Sequence, residues 1–164
     1  MKKFILIITL IVAVSEVSFA QEMPVPVNLQ GALFKKIFNF NKTLLSNGIK
    51  LAVVFGDAGI KDEVIEAFKQ FGFFPSSVSI NDIEKEIKNY TVVYITPGCR
   101  SLKSLSDKNK VFTISGLPSL AEKGEVSIAI GVESGRPKIL INKKKAEAEG
   151  QELAPDLLKI SKIL

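Results

Sequence analysis

The chain has 164 residues, 46% of them hydrophobic and 24% charged, with 22 basic and 17 acidic side chains. It contains no histidine and one cysteine. This composition excludes Ser-His-Asp and Cys-His catalytic sets, histidine-based metal sites, the common structural zinc patterns and any disulfide within the chain. The basic excess is small and scattered, so it does not favour a nucleic-acid partner. No residue constellation predicts an enzyme, a metal or a cofactor.

The first 20 residues have the pattern of a secretory signal peptide. Lys2 and Lys3 precede an apolar run over residues 4–14, and small residues at positions 18 and 20 precede Gln21. The run is shorter than the roughly 20 residues that span a bilayer, which favours cleavage over a retained anchor. We therefore expect an exported protein in which residues 1–20 are removed and residues 21–164 form a single domain.

The mature chain is predicted to begin with an extended segment over residues 21–27, which contains Pro24 and Pro26. A helix follows, capped by Asn28 and ended by Asn47-Gly48. Its apolar positions 29, 33, 37, 40 and 44 share one face. That face is expected to pack on a sheet.

Residues 49–71 are predicted to be the centre of the fold. Residues 49–55 form an apolar run with one charge, Lys50, as in a strand covered on both faces. A loop over residues 56–59 leads to a helix over residues 60–71, whose apolar side chains recur at helical spacing up to a C-cap at Gly72. A strand followed directly by a helix is the first half of a parallel crossover unit.

Further alternation of strands and helices follows. We predict strands over residues 73–80, 91–95 and 111–114, and helical segments over residues 82–88 and 101–107. Beyond Gly124 the pattern becomes a hairpin, with strands at 126–130 and 137–142 joined by a turn at 133–136. The fold class is therefore α/β, a three-layer sandwich with a mostly parallel sheet flanked by helices and a C-terminal antiparallel edge hairpin.

Two helices are predicted after the hairpin. Asn142 caps a helix that runs to Gly150, and its three lysines at 143–145 are followed by Glu147 and Glu149, a pattern typical of a solvated face. Pro155 opens a final helix whose positions 157, 158, 160 and 164 are expected to be buried against the sheet.

The carboxyl ends of the predicted strands carry small or polar residues. In open α/β sheets ligands bind at this edge, which predicts a small-molecule crevice lined by Gly56, Asp57, Thr96, Pro97, Gly98, Ser115 and Gly116. The same composition is also that of ordinary turns. Cys99 follows directly; we interpret it as a small buried apolar residue, with a reactive thiol or an intermolecular disulfide as alternatives.

Most of the mature chain, residues 21–164, resembles the YfiR-like family of exported bacterial proteins, with motif character in the last third. The resemblance is carried by Thr113-Ile114-Ser115-Gly116, by Lys138-Ile139-Leu140-Ile141-Asn142 leading to Ala146 and Gly150, and by the leucine-rich segment at 157–163. The chain departs from the family pattern at Gly116, where the family often has Asp, at Lys123-Gly124, where it often has two glycines, and in lacking the family's paired cysteines. The resemblance implies a periplasmic repressor that binds the periplasmic part of a membrane-bound diguanylate cyclase, hence cyclic-di-GMP regulation, often as a homodimer.

Two classes of function follow. The first is a non-enzymatic regulatory protein that binds and restrains a membrane-bound signalling protein by protein-protein interaction, with Phe73 and Phe74 as candidate partner-binding residues if they are exposed. The second is a periplasmic protein that binds a small ligand at the strand carboxyl ends.

Overall fold

The computed structural model of the protein describes residues 23–56 and 59–164. The predicted signal peptide and Asp57 lie outside the described residues. Within these residues, no helix combines the length and the apolar character that a membrane crossing requires.

The described residues form a seven-stranded sheet in the order β2-β1-β3-β4-β5-β6-β7. Neighbouring strands are parallel except β5 and β6, which form the predicted antiparallel hairpin. The strands are β1 (Leu51–Phe55), β2 (Ser76–Ser79), β3 (Val92–Ile95), β4 (Phe112–Ser115), β5 (Ile128–Glu133), β6 (Arg136–Ile141) and β7 (Lys162–Ile163). The predicted fold class, a mostly parallel sheet flanked by helices, is confirmed. A short strand, β7, lies outside the hairpin.

Helices cover both faces of the sheet. Those in the described residues are α1 (Val27–Phe38), α2 (Lys42–Asn47), α3 (Lys61–Lys69), α4 (Ile83–Glu86), α5 (Lys103–Asn109), α6 (Pro118–Glu122), α7 (Lys143–Ala148) and α8 (Pro155–Ile160). Successive strand residues point to opposite faces, so Val53 belongs to one hydrophobic cluster and Val54 to another. The first cluster includes buried residues of α1, α3 and α8, and the second includes residues of α4 and α6.

An aromatic group fixes α1 and α3 over the central strands. The Phe34 ring of α1 lies 6.0 Å from the rings of both Phe68 and Tyr94, which come from α3 and β3. Gly31 permits the two helices to approach, because a Cβ atom there would lie 2.8 Å from the Ala67 carbonyl oxygen. This packing places the N-terminus of α1 at the carboxyl ends of the strands.

The prediction of one continuous first helix was wrong. The helix begins after Pro26 rather than at an Asn28 cap, and it breaks at residues 39–41 before α2. The break is stabilised by buried Asn41, whose Oδ1 accepts from the Leu44 amide at 3.2 Å and whose Nδ2 donates to Gln151 Oε1 at 2.9 Å. The buried face of α1 consequently differs from the predicted one, and Leu29 is 40% exposed.

The C-terminal predictions also need correction. Lys145 and Glu149 are buried and do not form a solvated face. The last helix ends at Ile160, and the chain then joins the sheet as β7, with the Leu164 amide donating to the Ile141 carbonyl at 2.9 Å. These sheet hydrogen bonds replace the predicted final turns of helix. Leu157 is buried as predicted, whereas Ile160 and Leu164 are exposed.

Candidate functional site

The carboxyl ends of β1, β3 and β4 bring together the described residues of the predicted ligand site. Gly56 and Gly98 lie close, because a Cβ atom on Gly56 would be 3.0 Å from the Gly98 carbonyl oxygen. Thr96 and Ser115 are buried. The Ser115 hydroxyl donates to the Ile95 carbonyl at 2.8 Å and accepts from the Leu117 amide at 3.2 Å, so its hydrogen bonds connect neighbouring chain segments.

The N-terminal segment covers Gly116. A Cβ atom at Gly116 would lie 2.5 Å from the Met23 sulfur and 2.4 Å from Gln30 Oε1. The Gln30 amide donates to the Val25 carbonyl at 2.7 Å, which holds the segment against the start of α1. Thus Thr96, Ser115 and Gly116 are enclosed, while Gly56 and Gly98 are exposed and Pro97 is partly exposed beside them. Whether this edge binds a ligand stays a prediction.

Sequence reasoning missed the polar group beneath this cover. The fully buried Tyr94 hydroxyl donates to Gln30 Oε1 at 2.7 Å and lies 3.1 Å from the Met23 sulfur. Burial raises the pKa of Tyr94 above its ordinary value, so the phenol stays neutral. A glutamine within the apolar pattern of α1 was the available signal, because a buried amide needs a hydrogen-bond partner.

Cys99 is half-buried beside the same edge, and so is less enclosed than predicted. Its sulfur lies 3.5 Å from the Val54 carbonyl oxygen and 3.7 Å from the Thr96 hydroxyl. Burial is the main cause that raises the pKa of this thiol, outweighing its hydrogen bonds. The geometry therefore favours the protonated thiol and not a reactive thiolate.

A groove of about 400 Å³ lies at the opposite end of the sheet, where β1 and β2 begin. We call it the edge groove because β2 is the outermost strand on this side. It combines apolar and aromatic walls with one cationic side chain. Its lining residues are Ile49, Lys50, Leu51, Gly72, Phe73, Phe74, Ser76, Asn89 and Tyr90.

The two candidate partner-binding residues have different environments in this groove. Phe73 is partly buried, and its ring packs edge-on against Phe38 at 5.4 Å and Phe68 at 6.1 Å. Phe74 is 87% exposed, the highest value among the large exposed hydrophobic residues of the described chain. Phe73 is therefore a core anchor, and Phe74 presents an aromatic surface to the solvent.

A third polar cluster lies inside the fold. The Lys145 ammonium contacts Ser106 Oγ and Asp107 Oδ1, both at 2.7 Å, and Glu149 Oε1 at 3.1 Å. The Glu149 carboxylate also accepts from the amide and hydroxyl of Thr113 at 3.0 and 2.6 Å. Within residues 23–56 and 59–164, no buried side-chain polar atom is left without a partner. The cluster thus joins α7 to α5 and β4, a structural role.

The described ranges contain no group of three or more acidic or cysteine side chains arranged to hold a metal ion.

Comparison with known proteins gives a fold and no family. No family model matches the chain, and no curated protein matches it. The chain is similar to the solved structure of an ABC domain in complex with L-Trp from Streptococcus pneumoniae, with a TM-score of 0.60 and 13% identity over 85% of this chain. It is also similar to a conserved domain protein from Vibrio cholerae, with a TM-score of 0.60 and 14% identity over 84% of this chain.

The chain spans 60% of the length of each of these two proteins. At such low identity the likeness establishes the shared α/β fold and not a shared activity.

Proposed function

We propose that this chain is an exported regulatory protein that binds and restrains a membrane-bound signalling protein. The edge groove is the proposed contact surface, with Phe74 as its main anchor. The observation that carries the proposal is the 87% exposure of Phe74 beside an unpaired sheet edge. Large aromatic side chains dominate many protein interfaces, because a partner that covers them removes a large apolar area from water.

The shape of the groove supports a macromolecular partner over a small ligand. Phe73 forms a fixed wall through its contacts with Phe38 and Phe68, while Phe74 projects from the surface. A small molecule in the groove would leave most of the Phe74 ring in water. A protein surface would cover the ring from the outside, and that coverage is what an interface anchor requires.

The resemblance to the YfiR-like family supports the class of partner. It implies periplasmic localisation and a membrane-bound diguanylate cyclase as the restrained protein. The signal-peptide pattern of residues 1–20 is consistent with export, and the lack of histidine is consistent with a non-enzymatic role. The alternative partner is another membrane-bound sensor, such as a histidine kinase.

Co-sedimentation with membranes from the native host tests this proposal. The purified mature chain is expected to sediment with the membranes, and Phe74→Ala is expected to weaken this association about thirtyfold or more, since interface anchors contribute about 2 kcal/mol or more. Leu45→Ala is the matched control, because Leu45 is an exposed apolar residue elsewhere, at 61% exposure. Equal sedimentation of the two variants would contradict the proposal.

A second candidate function is binding of a small ligand at the strand carboxyl ends. It is supported by the close approach of the exposed Gly56 and Gly98 at that edge, and by a similar fold in a protein whose structure contains L-Trp. A ligand that binds the folded chain raises its melting temperature. The test is a thermal-shift screen of metabolites that includes L-Trp. A compound that raises the melting temperature of wild type, and not that of Gly56→Val, would favour this function. Gly56 is chosen because it is exposed at the strand carboxyl ends.

A further inference from the structure

We infer that β2 is a strand-addition site, which binds an extended partner segment carrying an apolar side chain and an acidic one. The inference rests on the proposed function, since it specifies how a partner engages the edge groove. In strand addition, backbone hydrogen bonds hold the segment, and pockets for alternate side chains select its sequence.

The backbone of β2 directs hydrogen-bonding groups to open solvent. The Ile80 amide donates to the Phe55 carbonyl at 2.9 Å, so the even-numbered residues of this segment pair with β1. The amide and carbonyl of Ser77 therefore point away from the sheet. Pro75 also has its backbone on the outer side, where the missing N–H of proline costs no sheet hydrogen bond.

The paired part of the β2 edge is less protected than the other edge of the sheet. Natural edge strands are blocked by charges, by proline, by bulges or by being very short. Pro75 blocks the start of this edge, but it lies outside the four paired residues Ser76–Ser79. Residues 73–79 carry no charge, and Ser76 and Ser77 leave room above and below an added strand. At the other edge, β7 has two residues and includes Lys162. The β2 edge is thus the one suited to accept a strand.

Side chains beside the strand define what the segment must carry. Phe74 lies two residues before β2 and is 87% exposed, so its ring would cover an apolar side chain of the incoming strand. Lys50 lines the groove next to Phe74 and forms no ion pair within the described residues. An acidic residue of the partner segment near the start of β2 would pair with Lys50. At the other end of β2, exposed Asp82 would repel an acidic residue of the segment.

A displayed library of eight-residue peptides tests the inference with a defined probe. Selected sequences are expected to alternate apolar and polar residues and to carry an acidic residue near one end. Their affinities are then measured by fluorescence polarisation for wild type, Ser77→Pro and Ser77→Ala. Proline removes the outward N–H without touching the pairing to β1, whereas alanine keeps that N–H. Circular dichroism verifies that both variants are folded.

The expected result is a loss of about fivefold in affinity for Ser77→Pro and less than about twofold for Ser77→Ala, as the loss of one backbone hydrogen bond implies. Lys50→Gln is expected to weaken only the acidic peptides. Equal binding to Ser77→Pro and Ser77→Ala, or the absence of any selected peptide, overturns the inference. A wild-type dimer in light scattering that Ser77→Pro converts to monomer also overturns it, because a second copy would then occupy the edge.

The same variants separate the two proposals. If Phe74→Ala abolishes membrane association and Ser77→Pro does not, the edge groove binds the partner and strand addition is wrong. If neither variant affects membrane association, the proposed function itself fails.

Discussion

Substituting Lys145 with methionine is expected to destabilise the protein strongly, although lysine and methionine have similar helix propensities. The Lys145 ammonium is surrounded by four acceptors, the Lys103 carbonyl, Ser106, Asp107 and Glu149, at 2.7 to 3.1 Å. Its side chain is 1% exposed and that of Glu149 is 0% exposed. Methionine would fill the space and leave the Glu149 carboxylate buried without its counter-charge.

The expected cost follows from that burial. Removing one partner of a buried ion pair typically costs about 3–5 kcal/mol, because the remaining charge is neither solvated nor paired. Part of this is recovered if Asp107, which is 30% exposed, turns to solvent. The cost is still a large share of the roughly 5–15 kcal/mol that stabilises a domain of this size.

Urea denaturation followed by circular dichroism measures this cost, since the chain has no tryptophan to report by fluorescence. The control is Lys144→Met, a change at an exposed lysine in the same helix, which is expected to alter stability by less than about 0.5 kcal/mol. If Lys145→Met costs no more than Lys144→Met, the buried ion pair does not stabilise the fold as described.

Two substitutions and one chemical modification test the structure at the carboxyl ends of the strands. Tyr94→Phe leaves the Gln30 carbonyl oxygen without its donor and is expected to cost about 1–3 kcal/mol at pH 8. Because the pKa of Tyr94 is raised in the folded state, the unfolded chain releases this proton first, and wild type loses stability above about pH 10. The difference in unfolding free energy between wild type and Tyr94→Phe should therefore be smaller at pH 11 than at pH 8. An unchanged difference would contradict the burial of the hydroxyl. Gly116→Ala is expected to lower the unfolding free energy by about 1–3 kcal/mol in thermal denaturation, because the new Cβ would meet the Met23 and Gln30 side chains. Gly59→Ala is the control and should be nearly neutral, since its Cβ would have no atom within 4 Å. Equal effects would contradict the packing of the N-terminal segment on Gly116. Cys99 is expected to react with iodoacetamide at pH 8.5 at least about tenfold more slowly in the folded chain than in urea, because burial both shields the thiol and raises its pKa, and equal rates would contradict this.

The centre of the sheet could be predicted because β1, β3 and β4 are buried on both faces. β3 and β4 are β-branched or aromatic runs bounded by turn residues, and such runs need no distant information to be recognised. The hairpin was equally readable, since alternation and the turn at residues 133–136 are local signals. Fold class therefore followed from local pattern alone.

Other features depend on distant partners and were missed. The helix break at Asn41 is fixed by Gln151, which lies 110 residues further along the chain. Nothing local separates Lys145 from Lys143 and Lys144, and its burial arises from contacts with α5. The last residues pair with β6, and this pairing competes successfully with helix propensity.

The candidate sites show the same division. The convergence of Gly56, Thr96 and Ser115 at one edge follows from parallel topology, which the strand-helix alternation predicts. The cover formed by Met23 and Gln30 does not, because it depends on how α1 is placed over the sheet. Phe73 and Phe74 are adjacent in sequence, and only their positions on opposite sides of the chain distinguish an anchor in the core from an exposed ring.

Site-specific photo-crosslinking in the native host tests the central claim most directly. A photoreactive phenylalanine analogue replaces Phe74, with the same analogue at Leu45 as the control, and adducts from the membrane fraction are identified by mass spectrometry. We expect that position 74, and not position 45, captures a membrane protein that carries a signalling domain such as a cyclase or a kinase. Adducts that are the same at both positions, or none at position 74, would contradict it.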